Sequence, residues 1–121
     1  MKTAKDPRHI LRIKIVKSLF AESFTQQKGL SSMARKIISK QKEIDETIQK
    51  AAPTWPIEKL NKIDLAILRL AVFELKEEET PPKVVIDEAV ELSKEFGSEN
   101  TASFVNGVLG TIYNELTNVK K

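Results

Sequence analysis

Apolar residues recur along the chain at three- and four-residue intervals and nowhere alternate with polar ones over the length of a strand. Ile10, Ile13, Val16, Leu19/Phe20 and Phe24 form one stripe, and Leu11, Ile15 and Leu19 a second. A helix that is apolar on more than one side is packed on more than one side. This first helix, opened by Asp6 as N-cap and Pro7 at its first position, is therefore expected to be central. After a polar break (TQQKGL), Ser31 or Ser32 caps a second helix, expected to run to about Lys50 on one buried line of Met33, Ile37, Ile44 and Ile48.

The prolines of AAPTWP punctuate the chain, and Pro56 can start a short helix, PIEKLNK. The next helix, about residues 63–76, carries Leu65, Leu68, Val72 and Leu75 on one face and Ile67, Leu70 and Ala71 on another, which makes it the second central element. Thr80 is the expected cap of a helix over about 82–96, with Ile86, Ala89, Val90 and Ser93 as its core line and Gly97 at its end. SFVNGVLG contains the Asn-Gly pair typical of a hairpin turn. Its surroundings decide otherwise, because apolar residues at 104, 105, 108, 109, 112 and 116 have helical spacing. Gly107 inside that helix costs about 1 kcal/mol against alanine, and a neighbouring helix crossing close over it is the expected reason. Trp55 is expected to plug the space between the two halves.

The pattern therefore predicts an all-α fold of roughly five to seven helices in a single domain over residues 1–121. Composition narrows the chemistry. With one histidine and no cysteine, a Cys–His pair, a disulfide or a multi-histidine metal site cannot be built. No phosphate-cradling glycine motif occurs, so an enzyme, a metal and a cofactor are not expected. The first ten residues lack the apolar core of a signal peptide, and no apolar run approaches a membrane span, which suits a soluble cytoplasmic protein. The net charge of +3 hides an asymmetry: residues 1–50 carry 12 Lys/Arg against 5 Asp/Glu, and residues 51–121 carry 8 against 12. A basic half suits a polyanion and an acidic half a basic protein, although ordinary solvated faces produce the same numbers.

Three segments, LNKIDLAILRLAVFELKEE, PPKVVIDEAVELSKEFG and SFVNGVLG, resemble in order and spacing the signature of the NusB transcription antitermination family. TWPIEKL and IVKSLFAESF fit its other landmarks. The resemblance implies a helical fold of two small bundles sharing central helices. It also implies joint binding of a single-stranded boxA-type leader RNA with a small ribosomal-subunit protein (NusE), within an antitermination complex on RNA polymerase, chiefly at ribosomal RNA operons. The same fold serves as the RNA-binding domain of some ribosomal RNA methyltransferases, but no methyltransferase domain stands here. Against the family pattern the N-terminus is poorer in arginine, the stretch after the first helix is shorter, and Phe20 and Gly110 replace a common tyrosine and a common acidic residue.

The candidate RNA contacts are Lys5, Arg8, His9, Arg12, Phe20, Asn100 and Phe104, and the candidate partner contact is Asp64. Cations at a helix start sit badly beside the positive end of its dipole, which favours an anionic ligand over a merely solvated start. Phe20 and Phe104 suit stacking on unpaired bases, and their spacing suits core packing equally. Asn100, Thr101 and Ser103 stand where free backbone N–H groups suit a phosphate, or simply cap their helix. Asp64 matches a family acidic position facing the ribosomal protein, or is a favourable first-turn carboxylate. Arg69 and Glu74, five apart and unable to face each other directly, are read as structural or rim groups. A protein-binding adaptor with weakened RNA binding, a module assisting ribosomal RNA modification, and a homodimer remain open alternatives.

Overall fold

The chain's longest apolar run dictates its arrangement. Residues 65–73 are buried without interruption, which a helix can achieve only if other helices cover every side of it. A computed structural model describes residues 6–120, which form α1 (Pro7–Glu22), α2 (Ser32–Ser39), α3 (Gln41–Ala51), a 3-10 turn (Ile57–Lys59), α4 (Lys62–Glu77), α5 (Pro82–Phe96) and α6 (Glu99–Lys120). α4 holds the apolar run and packs against each of the other five helices. α1, α2 and α3 lie along it as one group and α5 and α6 as another, with α3 reaching across to α6. The core therefore reads outward from Ile67, Leu68, Leu70 and Val72 to Val16, Ile37, Ile44, Ile48, Leu92 and Leu109.

Local chemistry starts and stops the helices. Asp6 caps α1 by accepting from the Arg8 N–H at 2.9 Å, and Ser31 caps α2 through Ala34 N–H at 3.2 Å. Asn61 caps α4 through Ile63 N–H, and Ser98 Oγ accepts from Thr101 N–H at the start of α6. Gly97 sits between α5 and α6 because a Cβ there would fall 2.8 Å from the Thr101 hydroxyl. Residues 100–111 are helical throughout, so the Asn-Gly pair lies within α6.

Several expectations change. The second predicted helix is two, because Lys40 leaves helical geometry at ψ 9° and re-aims the axis. No glycine or proline marks that bend. It places Ile37 on one side and Ile44 and Ile48 on the other side of it in the same core, and it sets the Lys40 ammonium 5.8 Å from the centre of the Phe73 ring. α5 starts at Pro82 without a side-chain cap from Thr80. Its buried face is Val85, Glu88, Ala89, Leu92 and Ser93, with Ile86 only partly buried. α1 is less enclosed than its two stripes imply, since Ile10 and Leu11 are exposed. Trp55 is no plug: more than half of it faces solvent.

The expected helix crossing over Gly107 is absent, since nothing lies within 4 Å of a Cβ placed there. The entropic cost of glycine is then unopposed by packing. Gly107→Ala should stabilise the protein by about 0.5–1 kcal/mol in denaturant unfolding, and a destabilised variant would show that the position is not open.

Candidate nucleic-acid interface

The basic start of α1 is the candidate site for an anionic ligand, and the candidate cations described there, Arg8, His9 and Arg12, occupy different environments. Lys5 lies outside the described residues. Arg8 stands in solvent with its side chain 80% exposed, tethered only loosely to Asp6 at 3.4 Å. The Arg8 N–H and then its guanidinium hold the Asp6 carboxyl below its usual range, as suits an N-cap. His9 and Arg12, one turn apart along α1, are by contrast buried at 3% and 8% exposure.

These two inner cations meet three carboxylates. The Arg12 guanidinium donates through Nε and Nη2 to both oxygens of Glu74, at 2.9 and 2.7 Å, and through Nη1 to Glu88 at 3.1 Å. His9 Nδ1 faces Glu88 at 3.3 Å and Nε2 meets Glu95. α1 is thereby fastened to α4 through Glu74 and to α5 through Glu88 and Glu95. Such a seat depends on geometry: removing one partner of a buried pair typically costs about 3–5 kcal/mol, because the other charge is stranded. As placed, His9 and Arg12 direct their side chains to protein carboxylates and position α1, while the Arg8 side chain faces solvent. Sequence reasoning did not find Glu88, whose burial follows from its place opposite Arg12 and His9.

The His9–Glu95 contact also sets the α1 start beside the end of α5, four residues before α6 begins. On α6, Asn100 is exposed and Phe104, one turn on, is half-buried against the core. Phe104 meets Trp55 edge-on, with centroids 6.5 Å apart and planes at 78°. Asn100 and Phe104 thus share one stretch of α6, and the start of α1 is tied to the end of α5 through His9 and Glu95. Phe20 lies twelve residues along α1 from Arg8, a rise of about 18 Å. There it packs edge-on to Phe24 at 5.0 Å, and the Lys62 ammonium lies 5.4 Å from the centre of the exposed Phe24 ring. Asp64, in the same first turn of α4 as Lys62, has a buried Oδ1 without a hydrogen-bond partner, and burial raises its carboxyl above the usual 3.8. Arg69 and Glu74 are both structural, but with separate partners: Arg69 makes a two-pronged pair with Asp45 of α3 at 2.8 Å. Among the described residues no group of three or more His, Asp or Glu could hold a metal ion, and no helix is long and apolar enough to cross a membrane.

Helices grouped on either side of one shared central helix, with a cationic first helix ion-paired onto the hairpin behind it, define the class: an all-helical domain of two small bundles. The chain belongs to the NusB family, whose model matches residues 3–114. It is 54% identical over 72 residues to the transcription antitermination protein NusB of Roseiflexus castenholzii, a match covering 57% of this chain and 51% of that one. With the NusB of Lachnoclostridium phytofermentans it shares 44% identity over 94 residues, 75% of this chain and 71% of that one. The matches span about half the length of the first of these relatives. Among solved structures, T. maritima NusB superposes with a TM-score of 0.80 at 32% identity, covering 95% of this chain and 94% of that one. A structure of NusB and NusE in complex with double-stranded RNA gives 0.78 at 24% identity over 89% of this chain and 96% of that one, which supports the fold.

Both ring nitrogens of His9 face carboxylate acceptors, an arrangement only the imidazolium satisfies with two donors. Burial lowers its pKa, but Glu95 and Glu88 together outweigh that and raise it above 6.5. A cation with a raised folded-state pKa contributes fully below the unfolded value and loses that contribution as pH rises through the folded one. The wild-type melting temperature should therefore fall from about pH 6.5 upward relative to His9→Gln. Parallel profiles for the two proteins would mean that His9 is neutral in its seat.

Proposed function

We propose that this protein is a transcription antitermination factor that binds a single-stranded boxA-type leader RNA jointly with a small ribosomal-subunit protein (NusE). In that complex it joins the elongating RNA polymerase and promotes processive transcription of ribosomal RNA operons, an activity that belongs in the cytoplasm. Membership of the NusB family supports this reading, and the ion-paired seat of α1 carries it structurally. That seat leaves the Arg8 side chain in solvent, at the end of α1 that is tied to the end of α5. Arg8, with Lys5 just before it, neutralises phosphates; Phe104 offers part of a ring to an unpaired base; Asn100 stands where the α6 N-terminus attracts a phosphate. His9 and Arg12 act from behind by fixing α1. Phe20, farther along the helix, meets a later nucleotide of the same strand. Asp64 belongs to the protein partner, because a buried carboxylate oxygen without a donor is held at a cost in stability that a partner's N–H or cation removes.

Arg8→Ala tests the phosphate contact. It should weaken all single-stranded RNAs about equally and lower the slope of log affinity against log salt by roughly 0.7, measured by filter binding across a salt series. An unchanged slope would remove Arg8 from the interface.

Asp64→Asn tests the partner surface. It should leave stability unchanged or raised, since burial disfavours the charged form, while weakening association with NusE in a calorimetric titration. Full partner affinity in that variant would move the protein interface elsewhere.

A further inference from the structure

Trp55 is the chain's only tryptophan, and 56% of it is exposed. An indole in solvent forgoes the burial its hydrophobicity favours, and this one is held there by a defined mount. Pro53 and Pro56 flank it and restrict the backbone on both sides. The Gln49 amide nitrogen donates to the carbonyls of Ala52 and Trp55, at 3.1 and 2.9 Å, and its oxygen accepts from Ile57 N–H at 2.9 Å. Trp55 N–H closes the turn onto the Ala52 carbonyl at 3.1 Å. One buttressing side chain and two prolines thus hold a large apolar ring outward, in place of the buried position its hydrophobicity favours.

The surroundings indicate what covers it. Phe104 meets it edge-on, which braces the ring and still leaves ring surface open to solvent. On α6 the exposed positions a turn to either side of Phe104 are Asn100 and Gly107, with Ser103 adjacent. An apolar protein partner would find few apolar neighbours there. A planar ligand with polar edges finds a ring to stack on, amide and hydroxyl groups on the adjoining stretch of α6, and at Gly107 open space for close approach.

We propose that Trp55 is a preorganised stacking platform for an unpaired RNA base, extending the surface that begins at Phe104. The inference rests on the RNA-binding reading above. Because its mount is already rigid, binding a base forfeits little conformational freedom. Stacking is tolerant of base identity, so Trp55 contributes affinity for single strands more than sequence choice.

The single tryptophan makes the test direct. The full chain is titrated with a short uridine- and adenine-containing single-stranded RNA, following tryptophan emission, and in parallel with the fluorescein-labelled RNA, following anisotropy. Trp55 emission should quench and saturate at the concentration that saturates anisotropy. Trp55→Ala should weaken binding roughly 5- to 150-fold, the fold-change equivalent of losing one aromatic–base stack, while Trp55→Phe retains most of it and the salt slope stays as in wild type. Anisotropy that rises without quenching, or full affinity in Trp55→Ala, would overturn the platform and leave the RNA-binding reading intact. No anisotropy change at all, either alone or with NusE added, would overturn both. If Trp55→Ala fails to fold, acrylamide quenching of the wild-type protein decides: shielding by RNA supports the platform, and full accessibility in the RNA complex refutes it.

Discussion

The two-pronged contact between Arg12 and Glu74, shared with the buried Glu88, is the constraint on which the rest of this structure depends. Apolar packing alone would let α1 rotate or slide along α4, because Ile, Val and Leu on a helix face interdigitate in more than one register. A guanidinium fork has one satisfactory geometry against a carboxylate, and a buried misfit strands charge. The pair therefore selects a register for α1. His9, one turn earlier, repeats the selection against α5 through Glu88 and Glu95.

That register has consequences at both ends of α1. At its start Arg8 faces solvent while His9, the next residue, is held against the end of α5. At its end Phe20 and Phe24 stand over the first turn of α4, with Lys62 against Phe24 and Asp64 close by in the chain. The same ion pairs also draw Glu88 inward, and with it the inner face of α5 turns to Val85, Ala89 and Leu92. One electrostatic contact thus orients two helices and fixes what stands at each end of α1.

The family relationship and the geometry constrain different things. Membership of the NusB family and the superposition on T. maritima NusB establish the scaffold. The placement of charge within it comes from this chain's own contacts, in which His9 and Arg12 are ion-paired inside the fold.

Helical period, caps and breakers were enough to establish an all-α fold, because these signals act over a few residues and the chain obeys them: Asp6, Ser31 and the prolines all stand at the element boundaries they predict. The dense, ordered signature around α4 to α6 made the family legible too. Other features depend on what a residue meets across the fold. The bend at Lys40 has no breaker and arises from packing Ile37, Ile44 and Ile48 into one core. Trp55 reads as a core residue by composition and is exposed because Gln49 and two prolines hold it out. Gly107 reads as a packing contact and is open. Above all, the sequence alone marked His9 and Arg12 as cations at a helix start. Only the tertiary structure, by bringing Glu74, Glu88 and Glu95 against them from more than sixty residues away, decided that their charge is spent inside the protein.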